Sequence, residues 1–327
     1  MPRQLQARAH AWKLKEPFVI SRGVRDVARV LIVELHEAGQ TGRGEACGVP
    51  YHGETPETML AQVEQARAAI EAGCDRRQLL DVLPAGGARH AVDAALWDLE
   101  AKLSGVPAWQ RANAPRWEPV ASAVTISIGD VDAYEAAARA RAGFPWIKVK
   151  VGCGSPVAAI EAVRRAAPDA HLIVDTNQSW TLDELREYAP QLQPLRVDLL
   201  EQPLAAGTDA GLIDYTSPIP LCADESLSTR DDLPGLVGRY QFVNIKLDKV
   251  GGLTAALDLA AAARASGFRL MVGCMLGGSI SVAPGMVLAQ QCEVCDLDGP
   301  WLQSEDWPDG VRYDNGLMSL PTPALWG

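Results

Sequence analysis

Trp146-Ile147-Lys148-Val149-Lys150-Val151-Gly152 is the stretch on which the reading of this chain turns. Side chains alternate faces along a strand, so Lys148 and Lys150 point one way while Ile147, Val149 and Val151 point the other. Two ammonium groups thus share one side of an otherwise apolar strand. Burying like charges together is costly unless anions sit opposite them, and the sequence supplies those anions downstream.

The runs His171–Asp175, Val197–Glu201, Pro220–Asp224 and Phe242–Lys246 are short and apolar, and each closes on one charged residue. Arg269–Cys274 and Glu293–Asp298 follow at similar spacing, and Ser122–Ile128 precedes the lysine strand. Between them lie alanine-rich stretches with helical periodicity: Val157–Ala167, Leu182–Gln193 and Leu253–Ala265. This alternation is that of right-handed parallel crossovers. Eight such strands close a TIM-type (β/α) barrel, whose active site lies at the carboxyl ends of the strands, where the charged residues fall.

At 327 residues and 48% hydrophobic content the chain exceeds what one barrel needs, so a second domain is expected. Residues 4–14 and 28–37 read as antiparallel strands joined by a Phe18–Val27 loop, and Pro56–Ala72 and Ala88–Leu103 read as helices. Strands followed by helices indicate an α+β capping domain over residues 1–115. The barrel then occupies 116–300. The segment 301–327, with a strand at Gly316–Leu320, is expected to return to the capping domain.

A net charge of −11 and a pI near 5.0 exclude the concentrated basic face that nucleic acid or anionic membrane requires. Met1–Phe18 mixes charged and apolar residues, so no signal peptide is expected, and no apolar run is long enough to span a bilayer. Seven cysteines, an odd number in a chain too large to need staples, suit a reducing cytoplasm. Cys292 and Cys295 have redox-like or zinc-like spacing, but the pair stands alone beside a strand and reads as buried thiols.

Asp175, Glu201 and Asp224 close successive barrel strands and converge on one rim. Three carboxylates repel one another, and a hard divalent cation with oxygen ligands relieves that repulsion; the all-oxygen set suits Mg²⁺. Lys246 lies four strands from Lys150, so the two lysines address opposite faces of a bound molecule. A neutral amine is a competent base, and Mg²⁺ and Lys148 nearby are expected to lower the pKa of Lys246. Lys249 reads as a loop charge. None of the five histidines closes a barrel strand.

With these residues assembled, the chain resembles the enolase superfamily. The resemblance rests on the Lys148-x-Lys150 pair, Val174-Asp175-Thr176-Asn177-Gln178, Glu201-Gln202-Pro203, Ala223-Asp224-Glu225-Ser226 and Asn244-Ile245-Lys246-Leu247-Asp248-Lys249. Lysines as both bases resemble its muconate-lactonizing subgroup, whose barrel is a modified (β/α)7β with an N-terminal capping domain. The resemblance implies abstraction of a proton α to a carboxylate, with the metal and Lys148 holding that carboxylate and stabilising an enolate. A lysine on each face implies inversion at carbon.

The eighth strand narrows the substrate. Asp296 and Asp298 fall on one face and ask for a cation; they resemble the Asp-x-Asp that grips the α-ammonium of a dipeptide in dipeptide epimerases. Arg22 and Arg25 lie in the early loop that covers the site, and either would pair with an acidic side chain, which suits L-Ala-D/L-Glu from cell-wall peptide turnover. The first expectation is therefore an Mg²⁺-dependent dipeptide epimerase of the cytoplasm; a homo-oligomer is compatible with the sequence. Within the same fold, N-acylamino-acid racemase, o-succinylbenzoate synthase and cycloisomerase activities remain open. From other classes, so do a Schiff-base lysine aldolase and a non-catalytic metal-binding barrel.

Overall fold

The computed structural model describes residues 2–20, 23–152 and 154–327. The chain opens with an antiparallel sheet of β1 (Gln4–Ile20), β2 (Gly23–Glu37) and β3 (Gln40–Ala46), then α1 (Pro56–Glu71), the short α2 (Leu79–Val82), α3 (Gly87–Ser104) and the short α4 (Ala108–Arg111). Of the expected Phe18–Val27 loop, residues 18–20 and 23–27 are instead strand in a long hairpin, and residues 21 and 22 lie outside the described residues. Phe18, Val19 and Ile20 pair with Arg25, Val24 and Gly23 after a register shift past Lys13. Its alternation of charged and apolar residues is too irregular to read as strand because the hairpin overhangs another domain.

β2 is buried on both faces, which explains its unbroken Val30-Leu31-Ile32-Val33 run. Leu31, Val33 and Leu35 pack with Met59, Val63 and Leu96 of the helices, while Val30 and Ile32 pack with Trp12 and with Leu276 from the barrel. α3 can approach β3 closely because Gly42 and Gly44 carry no side chain. A Cβ on either would lie 2.2 Å from Ala95 O or 1.9 Å from Ala91 O. The other side of α3 is bolted to the barrel: Arg89 donates to Val250 O at 2.7 Å, and Trp97 Nε1 donates to Thr254 Oγ1 at 3.0 Å.

After β4 (Val120–Ala121), the barrel strands are β5 (Val124–Ile126), β6 (Trp146–Lys150), β7 (His171–Asp175), β8 (Val197–Glu201), β9 (Leu221–Ala223), β10 (Phe242–Lys246), β11 (Arg269–Gly273) and β12 (Val294–Asp296). All seven pairings between neighbours are parallel and consecutive. The edges meet where Ala123 N donates to Cys295 O at 2.8 Å and Leu297 N donates to Ser122 Oγ at 2.9 Å. Helices α5 (Val131–Ala140), α6 (Pro156–Ala166), α7 (Leu182–Leu192), α8 (Leu233–Leu236), α9 (Leu247–Val250), α10 (Leu253–Ala265) and α11 (Ser279–Ala289) connect the strands. The β8–β9 connection has only a 3₁₀ turn at Asp209–Asp214, and no α-helix follows β12, which is the modified (β/α)7β form.

The C-terminal segment forms a small hairpin, β13 (Tyr313–Asp314) with β14 (Leu317–Met318), which pairs with β4. The chain then ends on α3, where Trp326 Nε1 donates to Ala94 O at 2.9 Å and Gly327 N donates to Asp98 Oδ1 at 2.7 Å. Among the described residues no helix is long and apolar enough to cross a membrane.

Candidate active site

The period of two along each strand builds the site in layers. Ile173, Leu199, Cys222, Phe242, Met271 and Val294 pack together inside the barrel as an apolar floor. One step further along the same strand face come Asp175, Glu201, Asp224, Asn244 and Asp296, with Lys148 on β6. Lys150, Lys246 and Asp298 stand one step beyond. Polar side chains here are thus held over hydrocarbon, where opposite charges attract more strongly than in water.

Lys148 sits at the centre and is 2% exposed. Its Nζ lies 2.8 Å from Asp296 Oδ2, 2.8 Å from Glu201 Oε2 and 3.1 Å from Asp175 Oδ2. Burial works against its charge, but those three carboxylates together outweigh it and hold the ammonium well above its usual value. Lys150 Nζ donates to Asp175 Oδ2 at 2.6 Å and Asn177 Oδ1 at 3.1 Å, and its carbonyl accepts from Tyr134 Oη at 2.7 Å. Lys246 Nζ donates to Asp224 Oδ2 at 2.8 Å.

Lys249 is not a loop charge. It is 3% exposed at the end of α9, donating to Asp224 Oδ1 at 2.7 Å, to Asp224 O and to Asn244 O at 3.3 Å. A side chain three residues beyond a strand end is turned back inward by the single helical turn of α9, which no strand period foretells. The pKa of Lys246 is expected to be lowered beside Mg²⁺, and the protein groups alone act, on balance, the other way. Burial and Lys148 lower its pKa, but Asp224 and Glu201 prevail and raise it well above the usual value. As the protein residues stand, Lys246 is an ammonium; freeing it as a base requires that another cation occupy those carboxylates.

Sequence reasoning also missed two asparagines. Asn244 Nδ2 donates to Glu201 Oε1 at 2.9 Å, and Asn177 N donates to Asp175 Oδ1 at 2.8 Å. Their positions two residues from Lys246 and Asp175 were the available signal. Gln202 holds the adjoining turn: with φ 37° it lies in the left-handed region, while its Oε1 accepts from Asp224 N at 2.8 Å and Ser226 N at 3.0 Å.

Asp175 and Glu201 end β7 and β8, and Asp224 directly follows β9; all three are oxygen donors, chemistry that fits a hard divalent cation. Among the described residues, however, no three acidic, histidine or cysteine groups converge tightly enough to hold an ion as they stand, because the lysines lie between them. Glu201 shows the strain of that arrangement. Its Oε2 lies 2.8 Å from Lys148 Nζ but out of line for a hydrogen bond, and burial, then Asp175, push its carboxyl up to about 7. Asp175 and Asp224 stay below the usual carboxylate range because the lysines outweigh burial. The residues fit the ion by donor chemistry, with the lysines as competitors for the same oxygens.

A cavity of about 350 Å³ opens above this layer. Lys148, Lys150, Lys246, Asp224, Asp296 and Asp298 line its floor and walls, and no described histidine does. The hairpin residues Phe18, Ile20 and Arg25, with Tyr51, close it from the capping side. Arg25 therefore reaches the cavity, while Arg22 lies outside the described residues. Asp298 Oδ2 accepts from Thr125 N at 2.7 Å, and burial, then Asp296, push its carboxyl up to about 6. Asp296 Oδ1 is buried without a hydrogen-bond partner, its other oxygen being held by Lys148. Cys292 and Cys295 are free thiols whose pKa values burial drives upward, which disfavours the thiolate that redox use needs.

The fold is thus a capped (β/α) barrel with carboxylates at the ends of three successive strands, flanked by lysines on strands that face each other. The chain belongs to the enolase superfamily: residues 132–324 match the family Enolase C-terminal domain-like, and residues 3–111 match the Mandelate racemase / muconate lactonizing enzyme, N-terminal domain. It is 43% identical to the L-Ala-D/L-Glu epimerase of Escherichia coli (strain K12), over 95% of this chain and 97% of that one. It is also 43% identical to the N-acetyl-D-glutamate racemase of Pseudoalteromonas sp., over 87% and 91%. A crystal structure of an enolase family member from Agrobacterium tumefaciens with homology to dipeptide epimerases, with bound sodium and L-Ala-L-Glu, superposes with a TM-score of 0.97 at 42% identity and full coverage of both chains. Dipeptide epimerases 26 to 32% identical to this chain, with TM-scores of 0.89 to 0.91, were solved with Mg and a dipeptide.

Proposed function

We propose that this chain is an Mg²⁺-dependent dipeptide epimerase that inverts the α-carbon of the C-terminal residue, with L-Ala-D/L-Glu as its substrate. The observation that carries the reading is the Asp296 and Asp298 pair: two buried carboxylates on one wall of the cavity, one with an oxygen that no protein group engages. A free α-ammonium satisfies both. Racemisation of an N-acylated amino acid is the second reading, favoured by the equal identity to the N-acetyl-D-glutamate racemase. An amide nitrogen carries no charge to place between the two acids.

With the ammonium held there, the dipeptide's carboxylate end extends toward Lys148 and the Asp175, Glu201 and Asp224 cluster. Those three residues would hold Mg²⁺, which supplies positive charge against the enolate oxygens. Lys150 and Lys246 rise from strands four apart in the ring of eight and both line the cavity, so the α-carbon sits between them. One lysine removes the α-proton and the other returns a proton on the opposite face. Lys148 offsets the charge that develops. Arg25 pairs with the glutamate side chain, a geometry that guanidinium and carboxylate suit.

Two further readings are proposed with it. The chain divides into a capping domain at 1–115, a barrel at 116–300 and a returning segment at 301–327, supported by the family matches at 3–111 and 132–324. A cytoplasmic site of action is supported by the six described cysteines, all free thiols.

The test is incubation with a dipeptide library, and with N-acetylglutamate, in D₂O containing Mg²⁺. Mass spectrometry reads α-deuterium. Exchange into L-Ala-L-Glu far ahead of N-acetylglutamate supports the proposal; the reverse order selects the second reading, and no exchange in either rejects both.

A further inference from the structure

Beside the cavity of the site lies a second one, of about 250 Å³, that shares Phe18, Thr125 and Leu302 with it. It runs between the first strand of the hairpin, the turn after β5, α5 and Trp301. Thr125 marks the join, since its N–H donates to Asp298 Oδ2. The second cavity thus begins where the proposed ammonium grip ends.

Two cations, Lys15 and Arg141, and one carboxylate, Glu16, line it. Lys15 Nζ lies 4.9 Å from the centre of the Trp301 ring, and the Arg141 guanidinium lies 5.0 Å from it. Lys15 also donates to Trp301 O, and Arg141 Nη1 donates to Ala137 O at 3.0 Å, while Arg141 Nε is buried without a hydrogen-bond partner. Glu16, which also lines the cavity, acts on both cations, and Asp298 acts on Arg141 from a distance. Burial and the charge of Arg141 lower the pKa of Lys15. Two like charges held around one indole gain from an anion brought between them.

We propose that this second cavity is a subsite for the side chain of the dipeptide's first residue, and that it takes an acidic side chain, aspartyl or glutamyl. The inference rests on the epimerase reading. With the α-ammonium against Asp296 and Asp298, the α-carbon of that residue is one bond away, and Thr125, which lines both cavities, stands beside it. Lys15 and Arg141 meet the carboxylate there, and Trp301 packs against its methylenes. The side chain of the second residue belongs to Arg25 in the first cavity.

The test compares kcat/KM for epimerisation of L-Glu-L-Glu with that of the isosteric L-Gln-L-Glu, with L-Ala-L-Glu as reference. The wild-type enzyme is expected to prefer the glutamyl over the glutaminyl dipeptide at least tenfold, mainly through KM. In the Lys15→Met/Arg141→Met double variant that ratio falls to about one, the loss of roughly 1.4 kcal/mol or more of discrimination. Arg141→Lys, which keeps the charge, retains a ratio above that of the double variant. A wild-type ratio of one or less overturns the inference whether or not the variants fold, as does a ratio that survives in the double variant. If L-Ala-L-Glu turns over while the ratio is one, the subsite fails alone; if none of the three dipeptides exchanges its α-hydrogen, the epimerase reading fails and the subsite with it.

Discussion

Lys249 Nζ lies 2.7 Å from Asp224 Oδ1, the carboxylate oxygen left over by Lys246, whose Nζ lies 2.8 Å from Oδ2. Both oxygens of one buried acid are therefore braced by lysines from a single strand-to-helix turn. Lys249→Met removes one buried charge of that set and should destabilise the fold by about 3 kcal/mol, the scale for breaking a buried pair. Urea denaturation in EDTA reads the loss. Mg²⁺ should restore more stability to the variant than to the wild type, because one competitor for the Asp224 oxygens is gone; an unchanged midpoint for Lys249→Met would contradict this account.

Lys150 and Lys246 stand four strands apart, so each serves one face of the α-carbon. Lys150→Ala and Lys246→Ala should each lower epimerisation by about 10²- to 10⁴-fold, the range for loss of a positioned acid or base. Each variant should still exchange α-hydrogen from one diastereomer, and the two variants should exchange from opposite ones. Mass spectrometry of separated L,L and L,D dipeptides reads this. Exchange from the same diastereomer in both would show that the two amines act on one face.

Removal of divalent metal should abolish turnover and lower stability together. Asp175, Glu201 and Asp224 are buried carboxylates at the ends of adjacent strands, and a bound cation relieves their repulsion. At a hundredfold excess over its dissociation constant, Mg²⁺ should add about 2.7 kcal/mol. Thermal unfolding after EDTA dialysis, with and without Mg²⁺, measures it. Equal midpoints would remove the metal from the proposal.

Asp298→Asn tests the ammonium grip. Loss of a hydrogen bond to a charged partner is worth about 1.5 to 3 kcal/mol, so the preference for L-Ala-L-Glu over its N-acetyl derivative should fall about 10- to 100-fold. The ratio of kcat/KM values reports it. A ratio that stays put would assign the two acids a purely structural role.

Glu45 gives a pH dependence away from the chemistry. Its carboxylate oxygens accept from Trp12 Nε1 at 3.0 Å, Gly278 N at 2.5 Å and Trp307 Nε1 at 2.5 Å, joining β3 to the loop after β11 and to the C-terminal segment. Burial, partly offset by those bonds, pushes it up to about 7 from the ordinary 4.5. The folded protein therefore holds this proton more tightly than the unfolded chain does. Its contribution to stability is complete below about pH 4.5, declines as pH rises to about 7, and is level beyond, a loss of about 3 kcal/mol. Glu45→Gln cannot ionise, so its stability measured against the wild type should improve from pH 5 to pH 8; parallel curves would refute the assignment.

The barrel and its charged rim were legible because a strand repeats every two residues. An apolar residue two before each acid, as in Ile173 before Asp175 and Leu199 before Glu201, announces both the buried face and the end of the strand. That local rule, applied to consecutive runs, was enough to bring Asp175, Glu201 and Asp224 to one rim and to set Lys150 against Lys246. It does not say which partner a charge meets once the strands close into a ring. The inward turn of Lys249, the hydrogen bond from Asn244 to Glu201, the raised pKa of Lys246 and the reach of the Phe18 to Arg25 hairpin over the cavity depend on contacts between residues far apart in the chain, and no local period encodes those distances.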